Sequence, residues 1–347
     1  MTEMKFILEA ALAFLIVFVS TPIVILVCNA LKLYDPPGPL KIHTRPVPRL
    51  GGVAVTAGLL TAIAFVLSPQ AAGIAEFAAC IAIVAVLGIV DDLRGVSPYV
   101  RLAVQVAVGT YMGTAGWGIA LTNSSIVNAL IASAVVVLFI NAFNFLDGAD
   151  SITAGVTAAI ALAFILAEPY PSALSNAIAW SLLGCSLAFL TYNWPPARVL
   201  LGDSGSTVIG LAVSFLALEH WKTAPTYSNP ALDLFPFVVA AVPLIDAALA
   251  IARRVLARTN PLRGDRCHWY DELARRGFAP RAVAIAAIAA TIVSGVVGWI
   301  ALHYNAEAAV AIIAAYLGLL VATGVGLGSL PLRSARRAQS VRQSFEV

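Results

Sequence analysis

Long apolar runs alternate with short polar segments along almost the whole chain. A run of about 20 apolar residues is what a helix needs to cross the hydrocarbon core of a bilayer. By that rule the pattern predicts eleven spans, at roughly 6–33, 51–67, 74–90, 99–116, 126–143, 151–167, 173–192, 204–220, 232–252, 282–302 and 308–328. The Gly, Pro and Thr residues inside several of them are tolerated in membrane helices. The expectation is therefore an all-α polytopic membrane bundle: one integral membrane domain over 1–330, followed by a basic tail over 331–347. The first run is longer than the apolar core of a cleaved signal and has no small-residue cleavage site followed by polar sequence, so it predicts a retained span.

Composition agrees. The chain is 60% hydrophobic and 11% charged, with a mean hydropathy of +0.91, against about 25% charged residues in a soluble domain. The four cysteines, Cys28, Cys80, Cys185 and Cys267, show no paired spacing, and three of them sit in apolar runs. Neither a disulfide framework nor a zinc site is implied. There is no P-loop, no dinucleotide glycine fingerprint and no internal repeat. Nothing in the motifs or in the net charge of +3 calls for a nucleic-acid partner.

The placement of the charges says more than their sum. The loops 34–50, 91–98, 144–150, 193–203 and 253–281 and the tail, with the nearby Lys32 and Arg101, hold 19 of the 21 Lys and Arg residues; only Lys5 and Lys222 fall on the other side. Cytoplasmic loops carry the excess of positive charge. This puts the N-terminus outside and the C-terminus in the cytoplasm. Arg333, Arg336, Arg337 and Arg342 then form a basic segment suited to anionic lipid.

Every cluster with chemistry in it falls on that cytoplasmic side. Asn141, Asn144, Asp147 and Asp150 recur at intervals of three between two apolar runs, and would share one face if the helix continued through them. Carboxylates near a bilayer are costly and usually mark function. Asp91 and Asp92 are adjacent like charges at the end of the third run, and call for a cation, a proton or a nearby arginine. In the ordinary reading, one caps the next helix and the other pairs with Arg94. Gly202-Asp203-Ser204-Gly205-Ser206 opens the eighth run, where free backbone amides at a helix start favour an anion and Asp203 can hold a divalent metal. Here the ordinary reading is an Asp or Ser cap with glycines easing helix packing. Loop 34–50 is proline-rich and made basic by Lys41, His43, Arg45 and Arg49, and it ends at Gly51-Gly52. Asp246 precedes Arg253-Arg254 by two turns, and the long loop after them holds Asp265, Arg266, His268, Asp271 and Glu272. Locally, His268 could also be an ordinary surface histidine.

Clustered Asp and Asn suit hard, oxygen-loving cations, magnesium above all. Arginine and lysine suit phosphate. At a membrane surface the combination argues for phosphoryl-group chemistry between a nucleotide compound and a lipid phosphate.

From Lys41 to about Gly277, the chain resembles the polyprenyl-phosphate N-acetylhexosamine-1-phosphate transferases of glycosyltransferase family 4, relatives of the phospho-MurNAc-pentapeptide translocases. The resemblance rests on Pro48-Arg49-Leu50-Gly51-Gly52, Asp91-Asp92 with Arg101-Leu102 and Gln105, Asn141 to Asp150, Leu201 to Ser206, Pro243-x-x-Asp246 with Arg253-Arg254, and the Asp265/His268 loop. It implies transfer of an N-acetylated sugar-1-phosphate from a UDP-sugar to undecaprenyl phosphate, with release of UMP. Such a step initiates a lipid-linked surface glycan such as O-antigen, at the inner membrane with the active site on the cytoplasmic face. By the same resemblance, magnesium, with manganese as a substitute, is held by Asp203 and Asn144, and Asp91 or Asp92 takes or positions the lipid-phosphate proton. Asn141, Asp147 and Asp150 serve the nucleotide or the metal shell, and Lys41, Arg266 and His268 contact phosphates or sugar. The resemblance leaves room for a homodimer. Two departures stand out. The family usually has glycine where Ser151 stands, and often three histidines where only His268 remains. With Trp269 and Tyr270 beside it, His268 suggests an apolar wall suited to 6-deoxy N-acetylated sugars.

Two other classes compete. An ion-coupled transporter also uses intramembrane acids, but its sites lie near the bilayer midplane. A prenyltransferase would need two Asp-x-x-x-Asp motifs, a spacing that Asp91-Asp92 and Asp147-x-x-Asp150 lack. The charge asymmetry makes a direct prediction. A reporter fused after Arg337 reads cytoplasmic, and a cysteine placed at Ser228 is labelled by an impermeant reagent from outside; the reverse pattern refutes the one-sided arrangement.

Overall fold

The computed structural model describes residues 2–38, 45–67, 73–118, 122–167, 172–223, 230–261 and 264–330. The long first run forms α1 (Thr2–Leu31), which leads to a short antiparallel pair, β1 (Tyr34–Asp35) and β2 (Val47–Pro48), with Tyr34 opposite Pro48 and Asp35 opposite Val47. Then follow α2 (Gly51–Val66), α3 (Ile74–Arg94), α4 (Pro98–Thr114), α5 (Ser125–Leu146), α6 (Ile152–Ala167), α7 (Ala173–Asn193) and α8 (Asp203–Thr223). The chain continues through α9 (Pro230–Val239), α10 (Ala241–Leu256), the short α11 (Trp269–Arg275), α12 (Pro280–Leu302) and α13 (Ala306–Leu327).

All eleven expected runs are helical, and the protein is a polytopic membrane bundle. The ninth run is broken: α9 and α10 meet at 74°. Pro243, in the first turn of α10, has no amide to donate to the carbonyl four residues back, so the helix cannot run straight through. By length and apolarity, six helices among the described residues suffice to cross a membrane, and a seventh if the bent pair is one span. α2 and α6 are apolar but have only 16 residues each, about 24 Å of helix.

The helix α8 is the axis of the bundle. Every residue from Ser204 to Trp221 is buried, as expected of a helix with no polar face. Helices α2, α3, α5, α7 and α9 surround it, and Phe77, Phe139, Phe189 and Phe215 fill the space between. Close approach depends on glycine. A Cβ on Gly52 would overlap the backbone of Gly205, and one on Gly88 would lie 2.6 Å from the carbonyl oxygen of Asp203. Small residues at such crossings let membrane helices gain packing without an apolar driving force between them. On the outside, α1 presents Leu8, Leu15, Ile23 and Leu26 as an exposed apolar face, as a lipid-facing helix should.

The strand pair reaches the same place. The Gly51 and Gly52 amides donate to the carbonyls of Leu200 (3.0 Å) and Leu201 (2.8 Å), and the Leu200 amide donates to Pro48 (2.8 Å). Gly51-Gly52 thus serves backbone approach, binding the proline-rich loop to the start of α8. Gly52→Ala forces apart the α2–α8 contact and costs more than the ~1–3 kcal/mol of ordinary overpacking. It should show as a large fall in Tm of the detergent-purified protein. Gly318→Ala, where a Cβ meets nothing within 4 Å among the described residues, leaves Tm unchanged or slightly raised.

Candidate active site

The N-terminus of α8 is capped from another helix. The Asp92 carboxylate, 8% exposed, accepts the amides of Asp203 and Ser204, both at 3.0 Å. The Gly205 and Ser206 amides turn back to the Gly202 carbonyl at 3.0 and 2.9 Å. The amides expected to be free for an anion are therefore engaged. A buried carboxylate needs donors, and a helix start supplies them together with a favourable dipole. Gly202, at φ +74°, is required twice over, because a Cβ there would lie 2.6 Å from Asp92 Oδ2.

The two adjacent aspartates thus differ. Asp91 accepts the Val96 amide at 2.6 Å and the Arg101 guanidinium at 2.7 Å. Arg101 also reaches Asp203 at 3.1 Å, so the bridging cation lies one helix beyond Arg94. Of the carboxylates on this arginine, Asp91 has 8% side-chain exposure and Asp203 30%. Asp203 is the one open to a ligand.

The helix α5 ends at Leu146, so the four polar residues do not share one helical face. Asn144 donates to Asp203 Oδ1 at 2.5 Å and to the Ser206 hydroxyl at 3.3 Å. Asn141 turns instead to α4, donating to Gln105 at 2.7 Å, and to its own helix at Val137. Asp147 follows the helix end. Burial first, and then the Asp203 and Asp92 charges, raise its carboxyl well above the usual range. Asp150 accepts the Ala197 amide at 2.9 Å, tying its turn to the loop after α7.

Beside them lies a cavity of about 250 Å³, lined by Asp35, Asp91, Asp92, Asp147, Asp150 and Asp203, with Arg49, Asn193 and Leu200; Asn141, Asn144 and Arg101 line a separate cavity next to it. Six carboxylates so close repel one another and call for a cation. Among the described residues, no group of three or more His, Cys, Asp or Glu side chains is preset as a metal cage. Magnesium does not require one, since it commonly takes one or two carboxylates together with water and substrate phosphates. Asp203 with its neighbour Asn144 has the right donor chemistry for that arrangement. Arg49 brings a guanidinium whose buried Nε has no partner among the described residues.

Sequence reasoning did not single out Asp35 or Asn193. Their weak signals are an acid before a Pro-Pro pair and an amide at a helix end. Lys41 lies outside the described residues. Arg266 pairs with Asp271 at 2.8 Å, away from the cavity-lining set. His268 is not a surface histidine: it is 4% exposed and lies 2.7 Å from Asp246. Burial alone would raise Asp265, but hydrogen bonds and charge from Arg253 and Arg254 hold it down to about 2. The expected wall of Trp269 and Tyr270 divides. Tyr270 lines a cavity of about 380 Å³ beside Asp150, whereas Trp269 lines another between α10, α12 and α13.

The glycosyl transferase family 4 profile matches residues 74–220, the stretch holding Asp91, Asp92, Asn144, Asp147, Asp150 and Asp203. The chain is similar to a probable undecaprenyl-phosphate N-acetylglucosaminyl 1-phosphate transferase of Bacillus subtilis, 27% identical over 284 residues, covering 77% of this chain and 76% of the relative. A decaprenyl-phosphate N-acetylglucosaminephosphotransferase of Mycobacterium leprae is 28% identical over 317 residues, 79% and 78% of the two chains. The undecaprenyl-phosphate alpha-N-acetylglucosaminyl 1-phosphate transferase of Escherichia coli K12 is 27% identical over 291 residues, 78% and 77%. These likenesses bear out the family resemblance read from the motifs.

Ser151, which stands in the glycine position of the motif, has φ +67°. Its amide donates to Asn193 Oδ1 at 2.7 Å and its hydroxyl to the Asn193 carbonyl at 2.9 Å. Left-handed backbone costs a non-glycine residue about 1–2 kcal/mol, and a net hydrogen bond offsets about 0.5–1.5. Ser151→Gly is therefore near neutral in thermal melts, within about 1 kcal/mol. Ser151→Val keeps the strain, loses the bond and melts markedly lower.

Proposed function

We propose that this protein transfers an N-acetylhexosamine-1-phosphate from a UDP-sugar to undecaprenyl phosphate, initiating a lipid-linked envelope glycan. The observation that carries this reading is the cavity at the head of the central helix, lined among the described residues by six carboxylates and one guanidinium, within a chain whose relatives are named polyprenyl-phosphate sugar-phosphate transferases. The charge asymmetry of the loops supports a cytoplasmic active site, an outside N-terminus and eleven crossings.

In this mechanism, an oxygen of the lipid phosphate attacks the sugar-linked phosphorus in line, and the bond to the UMP oxygen breaks. Asp203 and Asn144 would hold magnesium, which offsets charge on the diphosphate. Asp91 takes or positions the lipid-phosphate proton. Asp92 is the alternative; its oxygens accept the first two amides of α8, and those of Asp91 accept the Val96 amide and Arg101. Arg49, facing the cavity, and Lys41 receive phosphate oxygens. Asp147 and Asp150 orient the nucleotide from the turn after α5. An apolar cavity of about 350 Å³ between α4, α5 and α10, reaching Arg101 and Asn144, supports entry of a prenyl chain from the bilayer. Tyr270 beside Asp150 supports a donor pocket with an apolar side, where a 6-deoxy sugar would be favoured by a modest factor.

Membranes holding the protein should move label from a UDP-N-acetyl-sugar into butanol-extractable lipid, which an ion-coupled transporter would not do. EDTA should abolish transfer and magnesium or manganese restore it. Asp203→Asn should lose at least about a hundredfold in turnover while inserting and purifying normally. Full activity in metal-free buffer refutes the metal role, and a panel of UDP-sugars identifies the donor.

A further inference from the structure

The loop after α10 meets the end of α5 through a continuous set of contacts. His268 Nδ1 lies 2.7 Å from Asp246 Oδ2, and Nε2 faces Asp265 Oδ1 at 3.7 Å. The imidazole is stacked on Tyr270, with ring centroids 5.2 Å apart and planes 5° from parallel. The Tyr270 hydroxyl donates to the Phe145 carbonyl at 2.9 Å. That carbonyl belongs to the last turn of α5, whose acceptors have no partner within the helix. Gly148 makes the contact feasible, since a Cβ there would overlap the Tyr270 hydroxyl. From another side, the Arg254 guanidinium stands 4.8 Å over the Phe145 ring, fixed by Asp265 at 3.2 Å and the Pro261 carbonyl at 2.9 Å. Phe145 adjoins Asn144, whose amide meets Asp203.

This geometry leaves His268 little with which to touch a sugar. It is buried, both ring nitrogens turn toward carboxylates, and one ring face is covered by Tyr270. We propose that His268 is a positioning residue: with Asp246 and Tyr270 it pins the last turn of α5 and so sets where Asn144 stands against Asp203. The proposal rests on the sugar-phosphate transferase reading and departs from the donor contact that the family resemblance implied. Loosening the last turn moves Asn144 relative to Asp203. Misplacement by about 1 Å costs on the order of a hundredfold in rate, while Asp150, held by the Ala197 amide, and Arg49, next to β2, keep their places for the donor.

The test uses the purified full-length chain with His268→Ala, His268→Asn and Tyr270→Phe. Two quantities are read: steady-state kinetics with the preferred UDP-sugar, and the rise in Tm on adding magnesium alone. His268→Ala and Tyr270→Phe are expected to lower kcat by about 10- to 100-fold, to leave donor KM within about twofold, and to shrink the magnesium-induced Tm rise. His268→Asn, whose amide can still donate to Asp246, recovers part of both. Tyr270→Phe removes one oxygen and keeps the ring, so it guards against a trivial folding failure. A raised donor KM with unchanged kcat in His268→Ala, or a Tyr270→Phe protein equal to wild type in both readouts, overturns the proposal. An asparagine variant no better than alanine overturns the link to Asp246. If the wild type transfers sugar phosphate from no UDP-sugar, the transferase reading fails, and the Tm comparison still judges the positioning role.

Discussion

The structure depends on one capping interaction. Asp92, on α3, spends both carboxylate oxygens on the first two amides of α8. The start of a helix buried on all sides cannot turn to water for its amides, and an uncapped buried N–H costs about 1–3 kcal/mol. The Asp92 cap removes that cost and fixes the register of α3 against α8. Gly52 and Gly88 are glycines because the start of α8 lies closer to α2 and α3 than any side chain permits, and Gly202 because a Cβ there would meet the Asp92 carboxylate itself. The Asp92 cap also places Asp203 at the mouth of the cavity, with Asp91 one residue away and Arg101 between them.

The same closeness makes the site electrostatically incomplete. Among the described residues, six carboxylates line one small cavity and one guanidinium lines it with them. Arg101 relieves Asp91 and Asp203, and backbone amides relieve Asp92 and Asp150, yet Asp147 is pushed toward its neutral form by burial and by its neighbours. A structural role would have been met more cheaply with neutral side chains. Excess negative charge held rigidly, with an open Asp203, suits a cavity whose working state contains a cation and phosphate together.

Rigidity at this cavity comes from segments that look like loops in the sequence. One backbone hydrogen bond from β2 and two from the first residues of α2 bind the β1–β2 pair to the segment leading into α8, and the pair delivers Asp35 and Arg49. The α11 segment is locked by Asp246, Asp265 and the pair Arg253 and Arg254, and it braces the end of α5. Chemistry is thereby held on irregular backbone that buried hydrogen bonds make as firm as the helices.

Hydropathy alone determined that the chain is a helical membrane bundle, and where its helices lie. Burial in a bilayer demands long apolar runs with every backbone group satisfied internally, and nothing local competes with that demand. The break between α9 and α10 was also encoded, in Pro243, but a proline kink in an apolar run does not reveal its 74° angle. The motifs brought Asp91, Asp92, Asn144, Asp147, Asp150 and Asp203 to one place, because costly polar residues at apolar helix ends are retained for a reason. Only the tertiary structure divided their labour. Which of two adjacent aspartates caps a helix depends on a partner 111 residues away, and whether Asn141 faces the site or Gln105 depends on where α4 packs. The burial of His268 against Asp246, the reach of Tyr270 past Gly148 and the left-handed backbone of Ser151 are likewise long-range outcomes. Side-chain spacing along a chain carries no information about a contact that another helix completes.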